Sequence, residues 1–488
     1  MNKVLHKENF LFGFFATFFI GMLAADQLFD LSWLWTIPFG IIVIYFAWQN
    51  RNVFFLLLLF SIPFSREYNF SSGLSTDLPD ELLMLLVAGL FIPSWVYKPS
   101  LISKRTIGHP LIILLMIILA WTAFTVAFST QPLYSFKYLL AKCWYAGAFI
   151  IAPLIIFREK KFITTAAFTL AIAMILVTSF ILIRHAQTGF TFASINEAVN
   201  PFFRNHVNYS AMLVILIPVI FAFYKASADK FNRHITGAVL VIMLVALFFT
   251  YARGAWVALL AGLLAWWLIK HKLLFVAYIL MIILIFAGIF WLKTDDRYLR
   301  YSNDYQTTIF HKDFKEHLIA TYKLKDVSTA ERFYRWIAGV RMIKDKAVTG
   351  YGPNSFYDNY KPYAVPSFKT WVSDNKDHST VHNYFLLTAI EQGWPGLIFL
   401  LSLIGAMIYY AQRIYTRTKD VFYKLASRTI GVMIIMIIVV NLLSDLIETD
   451  KVGSLFFLCL SALVAIDIRS RRSDPSSYVE GIAQTVTK

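Results

Sequence analysis

The residues able to do chemistry are few. Arg253 stands in Thr250-Tyr-Ala-Arg253-Gly254-Ala-Trp, between two apolar runs with almost no loop. An arginine in a membrane span costs at least ~2.5–3.5 kcal/mol at the centre and less near an interface, so it usually faces a cavity or an anion. The alternative is a turn arginine that snorkels to the surface. His382 opens His382-Asn383-Tyr-Phe-Leu386, where a long polar segment returns to apolar sequence. An imidazole there can take a proton from a hydroxyl near neutral pH. Arg332 lies between them in sequence. Guanidinium forks neutralise a pyrophosphate and hold it in a dry site. These pieces fit group transfer from a membrane-anchored pyrophosphate, in which the lipid carrier supplies the activated bond. No P-loop, zinc motif, Gly-x-Ser-x-Gly elbow or dinucleotide fingerprint is present, so no ATP, metal or cofactor is expected.

The elements that must position these residues are membrane helices. The chain has 488 residues, 58% hydrophobic and 15% charged, against roughly 45–50% and 25% for soluble domains. Such a chain cannot cover its apolar surface with polar side chains in water. A soluble multi-domain enzyme, a disordered protein and a disulfide scaffold are excluded. The net charge of +16 belongs largely to topology, because cytoplasmic loops are enriched in Lys and Arg. Cys143 and Cys459 lie in apolar runs without metal spacing.

Apolar runs predict spans at 10–29, 31–48, 52–64, 81–97, 110–129, 138–157, 162–183, 208–224, 236–252, 254–269, 273–292, 394–411, 429–447 and 453–467. The run 52–64 is short, so the expectation is about 12–14 helices. With all fourteen, Lys3, Lys7, Arg51, Lys98, Lys104, Arg105, Arg158, Lys160, Lys161, Lys225, Lys230, Arg233, Lys270, Lys272, Arg413, Arg417, Lys419 and the tail arginines share one side. The positive-inside rule makes that side, and both termini, cytoplasmic. The first run reads as an uncleaved span rather than a signal peptide. The expected division is 1–292 for the first eleven helices and 293–382 for one large outer loop. Residues 383–468 then hold a re-entrant helix and three spans, and 469–488 a cytoplasmic tail.

The large loop is where function would sit. Ser328-Thr-Ala-Glu331 reads as a capping box. Phe333, Trp336, Ile337, Val340 and Ile343 then recur at helical spacing, with Arg332 and Arg335 off that stripe. Gly350-Tyr-Gly-Pro-Asn354 forces a turn, and a Tyr-rich stretch follows. Asn383 to Glu391 reads as a short helix broken at Gly393 and Pro395, a break tolerated where it lines a polar cavity. Arg204, His206, Lys137, Lys142 and Arg184 are basic residues on the outer side, against the positive-inside trend. Each suits a bound anion or a snorkelling side chain. Asp445 and Glu448 either orient a cation or mark a helix end, and Asp295-Asp296 reads as a solvated loop start.

Four pieces make a resemblance specific. They are Tyr251-Ala-Arg253-Gly254-Ala-Trp-Val-Ala-Leu-Leu, Glu331-Arg332-x-x-x-Trp336, Gly350-Tyr-Gly-Pro-Asn-Ser-Phe356, and His382-Asn-Tyr-Phe-Leu-(x)4-Glu391-Gln-Gly393. The chain resembles the bacterial O-antigen ligase and polymerase family over about 240–410. The resemblance implies an all-α polytopic membrane protein with GT-C-like architecture and one large helical periplasmic loop. It implies an inner-membrane glycosyltransferase with its site on the periplasmic face, inverting and independent of metal and ATP. The donor would be a glycan on undecaprenyl pyrophosphate, and in a ligase the acceptor is a lipid A–core sugar hydroxyl. Arg253 would bind the pyrophosphate, His382 would activate or orient the acceptor, and Arg332 would be a second phosphate or sugar contact. Arg335, Arg204, His206, Lys142, Asn383 and Tyr351 complete the expected substrate contacts. One dominant loop favours a ligase over a polymerase of O-antigen or exopolysaccharide. A protein O-oligosaccharyltransferase is a third relative, and a lipid-linked sugar transporter is the non-enzymatic rival. No nucleic-acid partner is expected.

Overall fold

The computed structural model describes residues 36–69, 75–295, 297, 327–365 and 380–472. Within them the fold is an all-α membrane bundle, apart from one antiparallel hairpin of β1 (Arg66–Asn69) and β2 (Ser75–Leu78). The helices are α1 (Thr36–Gln49), α2 (Arg51–Ser61), α3 (Asp80–Tyr97), α4 (Pro110–Val126), α5 (Pro132–Ile156) and α6 (Lys160–Gln187). Next come α7 (His206–Ala226), α8 (Lys230–Phe248), α9 (Arg253–Lys270) and α10 (Leu274–Lys293). The large loop contributes α11 (Val327–Asp345) and the short α12 (Phe356–Asn359). The bundle closes with α13 (Tyr384–Arg417), α14 (Val421–Asn441) and α15 (Asp450–Arg472).

Ten described helices are long and apolar enough to cross a membrane, or up to eleven if a bent pair is one span. α4 is apolar but shorter. The bent pair, Val43–Gln49 with Arg51–Phe64, falls on the end of the expected run 31–48 and on the run 52–64. The expected run 10–29 and the tail after Arg472 lie outside the described residues.

α14 and α15 are central and mostly buried, whereas α8 and α10 expose most of their surface. Ile283, Leu284 and Phe290 of α10 are exposed. In a bilayer those side chains meet lipid rather than water, so their exposure carries no hydrophobic penalty. α9, α13, α7 and α15 all pack on α14.

The two ends of the bundle differ in chemistry. At one end Arg158 donates to Leu101 O, Arg428 to Trp266 O and Arg469 to Phe157 O. There buried Asp467 gathers Arg417 at 3.1 Å, Arg471 at 2.7 Å and His109 at 3.5 Å. This end holds Arg158, Arg417, Arg469 and Arg471, members of the Lys/Arg set that the sequence places on one side. The other end carries the β-hairpin, α11, α12 and the turns after α8 and α14.

One local expectation changes. Glu331 pairs with Arg335 one turn on, at 3.2 Å, and the Ser328 side chain, the other half of the expected capping box, lies outside the described residues. Arg335 is not on the outer side of the helix. It is 1% exposed, on the buried face with Ala330, Tyr334, Ala338 and Met342. The ion pair with Glu331 makes that burial tolerable, since a buried charge must be paired and hydrogen-bonded.

Candidate active site

The site is organised by a break in α13. Gly393 has φ 70° and ψ −175°, which ends the helical ladder two residues before Pro395. Such a break frees backbone carbonyls at membrane depth, and each must find another donor. Three are met from outside the helix. Tyr351 N donates to Ile390 O at 3.0 Å, Gly352 N to Glu391 O at 2.9 Å, and the Trp121 indole to Gln392 O at 2.9 Å. The Glu391 carboxylate accepts from Ser355 N at 3.0 Å and Phe356 N at 3.2 Å, capping α12. Gly350, at φ 67°, lets the turn approach so closely that a Cβ there would lie 2.3 Å from Glu391 C. The Gly-Tyr-Gly-Pro motif is therefore a backbone clasp on the broken helix.

This placement corrects the role expected for Tyr351. Its side chain is 5% exposed in the apolar core under α11, and its hydroxyl lies 2.7 Å from the Tyr363 hydroxyl. Tyr351→Phe should leave the apparent donor affinity within about twofold and lower the melting temperature slightly, by about 1 kcal/mol of lost hydrogen bonding. Parallel transfer and thermal-denaturation assays check this; a large rise in donor KM would return Tyr351 to the substrate site.

The turn after α14, residues 442–445, draws the motif segments together. The Asn383 side chain donates to Leu442 O at 3.0 Å, Arg332 Nε donates to Leu443 O at 3.2 Å, and Tyr384 N donates to Ser444 O at 3.0 Å. A Cβ on Gly254 would lie 3.9 Å from Leu443 Cδ1, so the start of α9, with Arg253, borders the same turn. Thr380 donates its hydroxyl to Asp445 Oδ2. The His382 ring stands between α11 and this turn, with Nε2 3.2 Å from Arg335 Nη1 and Nδ1 3.9 Å from Asp445 Oδ1. Trp336 donates to Val381 O at 3.0 Å and Arg335 to Thr380 O at 3.1 Å, pinning the two residues that lead into it.

The backbone is strained where the motifs begin. His382 has φ 53° and Tyr251 φ 56°. A non-glycine residue there costs of order 1–3 kcal/mol and persists only where its surroundings hold it. Each strained residue directly precedes the launch of a helix, α13 and α9 respectively. The strain thus fixes how His382 and Arg253 are presented. Burial, reinforced by the charges of Arg332 and Arg335, holds the His382 imidazole well below its usual range, so the ring is neutral at physiological pH. Burial raises the Asp445 carboxyl above the usual carboxylate range, against the Thr380 hydrogen bond and the Arg335 charge.

The other expected contacts distribute unevenly. Asn383 caps α13 through Leu386 N at 2.9 Å while bonding Leu442, so both ends of its amide are used within the protein. That makes it a scaffold for His382 rather than a substrate contact. Lys142 is also corrected: it is 8% exposed and paired with Glu448 at 2.8 Å, beside Tyr138, so no open anion-binding cation stands there. With Tyr384 and Gln392 it lines a cavity of about 40 Å³. Arg204 pairs with Glu67 at 2.6 Å, tying the β-hairpin to the segment before α7. His206 Nδ1 lies 2.8 Å from Asn196 Oδ1. Its ring neighbours Phe192, which in turn neighbours Tyr251, so two aromatic rings link His206 to the Arg253 motif.

Asp445 joins the site only in three dimensions. The sequence offers it as a carboxylate closing an apolar run, with no spacing that links it to His382. Thr380 is equally silent, and Glu331 is offered as a helix cap rather than as a partner of Arg335. The cluster therefore combines guanidinium groups, a neutral imidazole and a carboxylate, beside a helix start that carries a further arginine. It can bind a polyanion and handle the proton of a hydroxyl.

Residues 238–401 match the model of a protein family described as O-antigen ligase. The matched segment includes Arg253, Arg332, Arg335 and His382, and stops short of Asp445. No curated protein matches the chain.

Proposed function

We propose, from the O-antigen ligase domain that the chain carries over residues 238–401, that this protein is an inner-membrane glycosyltransferase. Its donor is a glycan on undecaprenyl pyrophosphate, and its acceptor is a sugar hydroxyl of lipid A–core. The observation that carries the reading is the convergence of the motif segments on the 442–445 turn, with Arg332, Arg335 and His382 in one cluster. The strongly basic end of the bundle faces the cytoplasm on this reading, and the cluster faces the periplasm.

In the proposed reaction, Arg253 and Arg332 neutralise the pyrophosphate. A guanidinium suits this because its planar fork binds phosphate oxygens bidentately and keeps its charge in a dry site. Arg253 also begins α9, where the helix dipole favours an anion. Departure of the lipid pyrophosphate transfers the glycan, so no nucleotide is consumed outside the cytoplasm. His382 engages the acceptor hydroxyl, which attacks the anomeric carbon from the face opposite the leaving group. That geometry gives inversion.

His382→Ala is expected to abolish transfer to lipid A–core while donor binding changes little. Product formation by gel and donor binding by thermal shift separate the two effects. A variant that keeps full transfer would refute the reading. Loss of donor binding alone would favour a site built for lipid-linked sugar transport.

A further inference from the structure

We propose that Asp445, rather than His382, takes the proton of the attacking hydroxyl, and that His382 holds that hydroxyl through Nδ1–H. The assignment rests on the transferase reading above and begins with tautomer logic. Arginine is protonated at every relevant pH and offers only donors. Arg335 Nη1 faces His382 Nε2 at 3.2 Å, so Nε2 must supply a lone pair. A neutral ring whose Nε2 accepts carries its proton on Nδ1. Arg335 is 1% exposed and held by Glu331 and Thr380 O, so this contact is built into the core. The free edge of the imidazole is therefore a donor, and a donor cannot act as the base.

Among the described residues, the carboxylate facing that edge is Asp445. Oδ2 is engaged by the Thr380 hydroxyl, leaving Oδ1 3.9 Å from Nδ1. That separation is too long for a direct hydrogen bond and suits a bridging oxygen. The His382 side chain is 38% exposed and that of Asp445 17% exposed, so both edges are reachable. A sugar hydroxyl placed there accepts from Nδ1–H and donates to Oδ1. In the step, the acceptor oxygen bonds to the anomeric carbon and the bond from that carbon to the pyrophosphate oxygen breaks. Its electron pair leaves on the lipid pyrophosphate, and the hydroxyl proton passes to Asp445 Oδ1.

The groups that set the proton affinity of Asp445 come from several elements. Arg335 of α11 and the Thr380 hydroxyl favour the charged carboxylate, while burial and Glu448 of the same turn oppose it. Lys142 of α5 in turn pairs with Glu448, and Arg332 borders the turn at Leu443. Burial prevails, which makes Asp445 a stronger base than a solvated aspartate.

The test uses the full chain in proteoliposomes with undecaprenyl-pyrophosphate-linked glycan and lipid A–core. Asp445→Asn keeps an oxygen for the Thr380 hydroxyl and removes the base. It should lower kcat by about 100-fold or more, leave donor affinity within about threefold, and abolish the acid limb of the rate profile. His382→Gln should act mainly on the acceptor KM and keep that acid limb. Asp445→Glu should recover part of kcat. The assignment is overturned if Asp445→Asn turns over within about threefold of the wild type. It is equally overturned if the acid limb disappears in His382→Gln and persists in Asp445→Asn. In those cases wild-type transfer leaves the glycosyltransferase reading intact. A wild type that transfers nothing overturns both.

Discussion

Replacing Arg253 with alanine is expected to lower glycan transfer by about 100-fold or more and to raise the apparent KM for the lipid-linked donor. The magnitude is that of losing one donor aimed at charge developing in a desolvated site. Arg253 begins α9, and alanine is the best helix former, so the helix itself should survive. Gly254 keeps its approach to Leu443 in the variant, which leaves the neighbouring turn in place. Arg253→Lys should recover only part of the activity. It restores the charge but loses the planar fork. Steady-state rates over a donor titration distinguish the outcomes. An unchanged apparent donor affinity in Arg253→Ala would remove Arg253 from the pyrophosphate site.

Gly393→Ala is expected to cost the folded state several kcal/mol, among the largest effects of any single methyl in the chain. Two independent penalties combine. The backbone at φ 70° and ψ −175° belongs to a region that is essentially glycine-only. An added Cβ would also lie 2.0 Å from Val348 O and 2.4 Å from Val348 C, both backbone atoms that cannot swing aside. Relief would require opening the clasp between the 347–352 turn and α13, including the 2.9 Å bond from Trp394 N to Ala347 O. Gly89→Ala is the matched control, because a Cβ there meets nothing within 4 Å. Thermal unfolding of the detergent-purified proteins reads both. A Gly393→Ala protein as stable as the Gly89→Ala protein would mean that the break is not required.

Most spans were readable from the chain because they are one-dimensional properties. Apolar runs and Lys/Arg spacing need no knowledge of which helices touch. The break at Gly393 was readable for the same reason, as a glycine and a proline two residues apart in an apolar segment. Arg253 and His382 stood out as charged or titratable residues where membrane sequence begins or ends, and Arg332 as a polar residue off the apolar stripe of the loop helix.

What failed to show in the sequence depends on pairing across the fold. Arg335 reads as an outer-face residue because hydrophobic periodicity scores an arginine as polar. Its burial depends on Glu331 and His382, which face its guanidinium at 3.2 Å each. Lys142 reads as an excess cation because Glu448, which neutralises it, lies on a distant turn. Tyr351 reads as a surface aromatic because the core that covers it is made by α11 and the first half of α13. Asp445 is the clearest case. A lone carboxylate after an apolar span marks many helix ends, and only the return of the large loop at Thr380 and His382 gives it a partner.

The most direct test of the central claim is one reconstitution with EDTA present. Purified protein in proteoliposomes would receive undecaprenyl-pyrophosphate-linked glycan and lipid A–core, and the products would be separated by size. The account predicts a lipid A–core band carrying the glycan, absent in the Arg253→Ala protein. A ladder of longer undecaprenyl-linked glycan with the acceptor untouched would contradict the ligase assignment and identify a polymerase. Unchanged donor and acceptor would contradict transfer itself.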